Sequence, residues 1–92
     1  MPLNYRKMDN SDSLFVQLLF VFHQNAMQGM GKIKNPLTDK IERNLEQAKH
    51  SIEMMEMMKE KTRGNIAEEV SKMLDGFLTE LRLNYVEESS KG

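Results

Sequence analysis

The sequence predicts an all-α fold of three helices. Helices 2 and 3 form a long antiparallel hairpin, and an apolar N-terminal helix joins them in an oligomeric helical bundle. Three observations predict this. Two long stretches repeat apolar residues at spacings of three and four, which marks one buried helix face. Gly64-Asn65 stands between them as a break. The stretch from Leu14 to Met27 is apolar in nearly every direction, more than one hairpin can cover.

Residues 1–9 show no periodicity and are expected to form a flexible N-terminal arm. Residues 10–86 are expected to form a single helical domain, and residues 87–92 a flexible polar tail. Asn10-Ser11-Asp12-Ser13 is a run of cap-type residues, any of which can accept from the free amides that open a helix. Helix 1 is expected from about Ser13 to Gln28. Phe15, Val16 and the run Phe20-Val21-Phe22 would suit a strand, but the pattern continues through Gln24 to Met27, and length favours a helix. Gln17, Gln24 and Gln28 fall on one narrow line of this helix. Almost all other directions are apolar, so the helix requires cover on several sides. This predicts a homo-oligomer with helix 1 at its centre. Gly29 and Gly31 end the helix, since glycine takes the left-handed cap geometry at little cost.

Asn35-Pro36 signals a turn, because the residue before proline is pushed out of the helical region. Thr38 or Asp39 is then expected to cap helix 2, which runs to about Lys61. Ile41, Leu45, Ala48, Ile52 and Met55 form its apolar stripe. Lys40, Glu42, Arg43, Glu46 and their successors are read as a solvated face of mixed charge. The nine methionines include Met54, Met55, Met57 and Met58. Methionine fills irregular gaps, so core filling is favoured over an adaptable partner surface. Gly64 breaks the helix, and Asn65 with Glu68 matches a capping box. Helix 3 is expected from about Ile66 to Tyr85, with Gly76 off its apolar face. A hairpin centred on the bend would place Phe77 near His50 and bring Arg82 to Glu42 or Glu46.

From Ser51 to Glu87 the chain resembles an uncharacterised bacterial family, the domain of unknown function 1844 family. The segments that carry the resemblance are Glu60-Lys61-Thr62-Arg63-Gly64-Asn65-Ile66, Glu68-Glu69 and Leu81-Arg82-Leu83-Asn84-Tyr85-Val86-Glu87. A weaker likeness covers Leu14 to Gly31 and Asn35-Pro36. Glu53 stands where the family pattern has aspartate, and Met54 to Met58 where it is leucine-rich. The resemblance implies a small all-helical protein. It supplies no activity and no catalytic residue.

Composition excludes several function classes. The absence of cysteine rules out disulfides and thiolate metal sites, and it suits a reducing compartment. A formal net charge of -1 with interspersed signs offers no field for nucleic acid. The apolar run from Leu14 to Phe22 is far shorter than the ~20 residues that span a bilayer, and no cleavage-site pattern follows it. A soluble cytoplasmic protein is expected, without membrane attachment.

No cofactor, metal or catalytic residue is expected. Gly29-Met30-Gly31 follows a helix and lacks a third glycine, so it reads as a turn rather than a phosphate loop. Ser51 adjoins His50, but neighbouring helical residues do not face each other. His50 and Glu53 lie three apart and, with His23, are the candidates for an alternative ligand- or metal-binding role. One such pair lacks the ligand count of a metal site. The interaction candidates are Phe15, Leu19, Phe22, Met27, Met54, Met57 and Met58. Around the bend of Lys61, Thr62, Arg63, Gly64 and Asn65, the cations read first as stabilisers of the helix 2 C-terminus. An anion-docking tip is the second reading there. The favoured function is a non-enzymatic module that binds itself, with another protein as a second candidate partner.

Overall fold

The computed structural model describes residues 7–91. Its three helices are α1 (Asn10–Gly29), α2 (Leu45–Lys61) and α3 (Glu68–Lys91). No strand occurs among the described residues; the one ladder element is an isolated bridge between Asn35 and Lys40. The first six residues of the expected arm lie outside the described residues.

α1 starts earlier than the cap run suggests. Asp9 is the N-cap, accepting from the Asp12 amide at 2.9 Å, while the Asp12 carboxylate accepts from the Asp9 amide at 3.1 Å. This reciprocal box satisfies two of the amides that a helix start leaves free. At the other end Lys32 N–H donates to the Met27 carbonyl and Gly31 N–H to that of Gln28. With Gly31 at φ +76°, this is a Schellman stop. Gly29 has a different role from the expected cap. A Cβ there would lie 2.7 Å from the Asn44 carbonyl and 2.9 Å from the Ala48 amide nitrogen. Its hydrogen permits the end of α1 to press against the start of α2.

α2 begins later than expected, at Leu45, with Asn44 as its cap accepting from Gln47 N–H. Thr38 and Asp39 do not cap it. Asn35 captures them instead: its carbonyl accepts from both amides, its side chain accepts from Leu37 N–H, and its own amide donates to the Lys40 carbonyl. Asp39 closes this turn at φ +58°. Ile41 therefore lies outside the helix and exposed, not on the α2 stripe.

α3 begins at Glu68, beyond Asn65, so the expected Asn65–Glu68 box does not start it. The Ala67 carbonyl accepts the first helical amides. The helix also continues well past Tyr85, to Lys91. The hairpin register is displaced from the sequence expectation. Arg82 meets Glu56 at 2.8 Å, not Glu42 or Glu46, and Lys59 meets Asp75 at 2.7 Å. Six non-helical residues, 62–67, separate α2 from α3 and move the fold axis toward α3. Phe77 faces α1 rather than His50. Its ring meets Phe20 edge-on at 5.5 Å and His23 at 4.5 Å.

Asp12 with Ala67, Phe20 with Phe77 and His23 with Glu80 fix α1 parallel to α3 and antiparallel to α2. Between the three helices lie Leu19 and Ala26 from α1, Ala48, Met55 and Met58 from α2, and Val70, Leu74, Leu78 and Leu81 from α3. Each buried leucine contributes about 2 kcal/mol by leaving water. The radius of gyration is 14.5 Å, against the ~12 Å of a compact chain of this length. The molecule is elongated, and its core is correspondingly thin.

Candidate functional site

Three places carry the side chains singled out in the sequence. The first is the bend, where local bonds account for most of the chemistry. Thr62 donates its hydroxyl and its amide to the Met58 carbonyl, closing α2. Gly64 takes φ +81°, and Asn65 N–H returns to the Thr62 carbonyl. The cations have carboxylate partners: Arg63 bonds Glu60 at 2.8 Å and Lys59 bonds Asp75. A hollow of about 260 Å³ lies there, lined by Lys59, Arg63, Ile66 and Asp75 among others. Its mixed charge is a poor anion cradle. Lys61, exposed beside it, lies in the last turn of α2, where a cation complements the helix end.

The histidines form the second place. His23 bonds Glu80 at 3.1 Å and lies on the Phe77 ring. His50 and Glu53 are exposed on α2, while Ser51 between them is buried. Among the described residues no three potential metal ligands come together.

The third place is α1. Asp12, Leu19 and Ala26 face inward and are buried. About 140° round the helix, Leu14, Leu18 and Val21 form a second line. They are 55%, 45% and 57% exposed. Phe20 is also half exposed, and Gln17 and Gln24 border the line. No Asp, Glu, Lys or Arg occurs from Ser13 to Gly31, so this face is apolar and amide only.

The structure redraws the list of interaction candidates. Leu19 and Met58 belong to the chain's own core and offer no free area. Phe15, Phe22 and Met27 pack partly against that core, Met54 is half-buried, and Met57 is 42% exposed. Sequence reasoning missed Leu14, Leu18 and Val21 as a separate line. The signal was present in their spacing of four and three.

It also missed two charged residues that fasten the helices. Asp12, on α1, additionally accepts from the Ala67 amide at 3.3 Å, so one carboxylate serves the starts of α1 and α3. Glu88, with its side chain 8% exposed, holds the opposite end. It receives Lys32 at 2.9 Å, Lys91 at 3.0 Å and Arg43 at 3.3 Å, while Arg43 also donates to the Glu88 carbonyl. Arg43 is thereby a fastening residue and not part of a free solvated face. Hydrogen bonds from Lys32 and then Lys91 lower the Glu88 pKa from 4.5 to about 2, against the opposing effect of burial. The same bond raises Lys32.

The chain is therefore a small all-α protein of three helices, with an antiparallel hairpin and a parallel N-terminal helix laid along it. It belongs to the family described as Domain of unknown function (DUF1844), which matches residues 12–87. No curated protein and no solved structure matches it. No helix among the described residues is long and apolar enough to cross a membrane.

Proposed function

We propose that this protein is a non-enzymatic helical module that self-associates through the outward face of α1. One observation carries the reading: Leu14, Leu18 and Val21 are about half exposed in a single line on a face without charge. A contiguous apolar strip on a small soluble domain marks a contact surface. A thin core adds a reason, since small domains gain stability by associating. The cysteine-free sequence suits the reducing cytoplasm. The alternative, a ligand or metal site on His50, Glu53 and His23, has weaker support. His23 is engaged by Glu80 and Phe77, His50 and Glu53 are exposed on α2, and no three potential ligands gather among the described residues.

Light scattering across a concentration series tests the reading. The wild-type chain is expected to form a defined oligomer, and Leu18→Glu to yield a folded monomer with unchanged helical circular dichroism. A wild-type chain that stays monomeric up to millimolar concentration overturns it.

A further inference from the structure

We infer that the partner on this face is a second copy of the chain, its α1 lying parallel and in register, with Asn25 setting that register. The inference rests on the self-association proposed above and adds orientation, pairing and a specificity residue. It begins from spacing. Ser11, Leu14, Leu18, Val21, Asn25 and Gln28 follow one another at intervals of three, four, three, four and three. Alternating threes and fours are the heptad spacing by which two helices interlock their side chains along a seam. The first five of these residues are exposed, and Gln28 is half-buried.

Polarity along the seam selects the orientation. A parallel, in-register pair sets each residue against its own copy. Leu14, Leu18 and Val21 then make three apolar layers, bounded by Ser11 at one end and by Asn25 and Gln28 at the other. Asn25 meets Asn25, and two amides in one layer satisfy each other. The antiparallel pairing of greatest overlap sets Asn25 against Leu14 of the other copy. A carboxamide is then buried against methyl groups, at the cost of its hydrogen bonds. Sliding the antiparallel pair by about one turn moves Asn25 opposite Ser11 and keeps Leu14 against Val21, but it shortens the overlap, leaves Gln28 beyond the seam and pairs Asn25 with a hydroxyl instead of a second amide. A polar residue at one seam position is a known means of fixing register and strand number.

The seam's flanks favour a copy over a charged partner. Gln17 and Gln24 lie on one side, Phe15 and Phe22 on the other, so neither orientation sets like charges together. The exposed line on α3 differs. Leu83 and Val86 are bordered by Glu80 and Glu87, which would repel across an antiparallel α3 pair. Size sets the strength. α1 is ~30 Å long, and one two-helix seam covers less than the ~800 Å² per partner of a standard interface. The dimer is accordingly reversible.

The absence of cysteine makes the test direct. Asn25→Cys, Leu14→Cys and the control Leu83→Cys are each placed in the full chain and oxidised mildly at a concentration where light scattering shows dimer. Parallel pairing predicts that Asn25→Cys chains link to one another, and Leu14→Cys chains likewise. Both should link on the order of tenfold or more faster than Leu83→Cys, because the dimer raises the local thiol concentration. Mixing mass-tagged Leu14→Cys and Asn25→Cys chains should give few crossed links. Predominantly crossed links from a protein that still scatters as a dimer overturn the parallel register and leave self-association standing. Linking no faster than Leu83→Cys, in a dimer, shows that α1 is not the seam. A monomer throughout overturns both readings. Asn25→Leu supplies a thiol-free check: it should tighten association and broaden the distribution of oligomer sizes, and an unchanged dimer removes Asn25 as the register residue.

Discussion

The two ends of the molecule are held by different means. At the bend, between α2 and α3, the residues that look most like a motif are exposed except for the part-buried Thr62, and Thr62, Arg63 and Asn65 bond near neighbours in sequence. Arg63 reaches Glu60 three residues away, and both side chains are about 70% exposed. At the open end the tie is long-range. Glu88, in a segment expected to be a flexible polar tail, gathers Lys32 and Arg43 from the connection before α2. At these two ends, conspicuous sequence pattern marks local turn chemistry, and the polar groups that tie one helix to another are single charges without pattern. Asp12 shows the same at the bend end, where the working contact comes from α1 and lies outside the motif.

Three substitutions break or sharpen this contrast. Asp12→Ala should have the largest effect, because it leaves amides at two helix starts without their acceptor. A loss of about 3 kcal/mol is expected in urea unfolding, and a loss below about 1 kcal/mol would show that the carboxylate is not shared in solution. Glu88→Gln should be next, lowering the melting temperature by removing the anion from among three cations. Its pH signature is specific. Glu88 is lowered in the folded chain, so its contribution is complete above the ordinary value of 4.5 and fades as pH falls toward about 2. Lys32 is raised, so its part of the tie is complete below 10.5 and fades at higher pH. The melting-temperature gap between wild type and Glu88→Gln should be flat at neutral pH and close on acidification; a gap that persists in strong acid would assign the loss to packing. Arg63→Ala should have the smallest effect, within about 0.5 kcal/mol, as for an exposed ion pair. A larger loss would give the bend a structural weight that its geometry does not show.

Much of the fold was legible in the sequence. Three helices, their order and the hairpin follow from the three- and four-residue spacing and from Gly64. Boundaries were less so, for identifiable reasons. Asn35 outcompetes the α2 start for Thr38 and Asp39 by making them a turn, which leaves Ile41 off the stripe it seems to open. α3 outruns its apolar pattern because the ion pairs of the buried Glu88 support its last turns, and ion pairs leave no periodicity. The hairpin register slipped because a six-residue non-helical link has no counterpart in helical spacing. Gly76 is exposed on α3, where a Cβ would meet nothing within 4 Å, and no packing in this chain requires it. On α1 the surplus of apolar residues was evident from composition. The division into an inward line with Leu19 and an outward line with Leu14, Leu18 and Val21 needed the positions of the neighbouring helices.

The shared carboxylate of Asp12 also bears on the order in which the chain folds. Asp12 and Ala67 are separated by 55 residues, so their contact closes a loop that contains all of α2. Until α1 has docked, the hairpin lacks the acceptor for the amide that precedes α3. The amide that precedes α3 thus finds this acceptor only in a helix made far earlier in the chain. Folding in this protein should be limited by a non-local step, slower than the helix count alone would suggest.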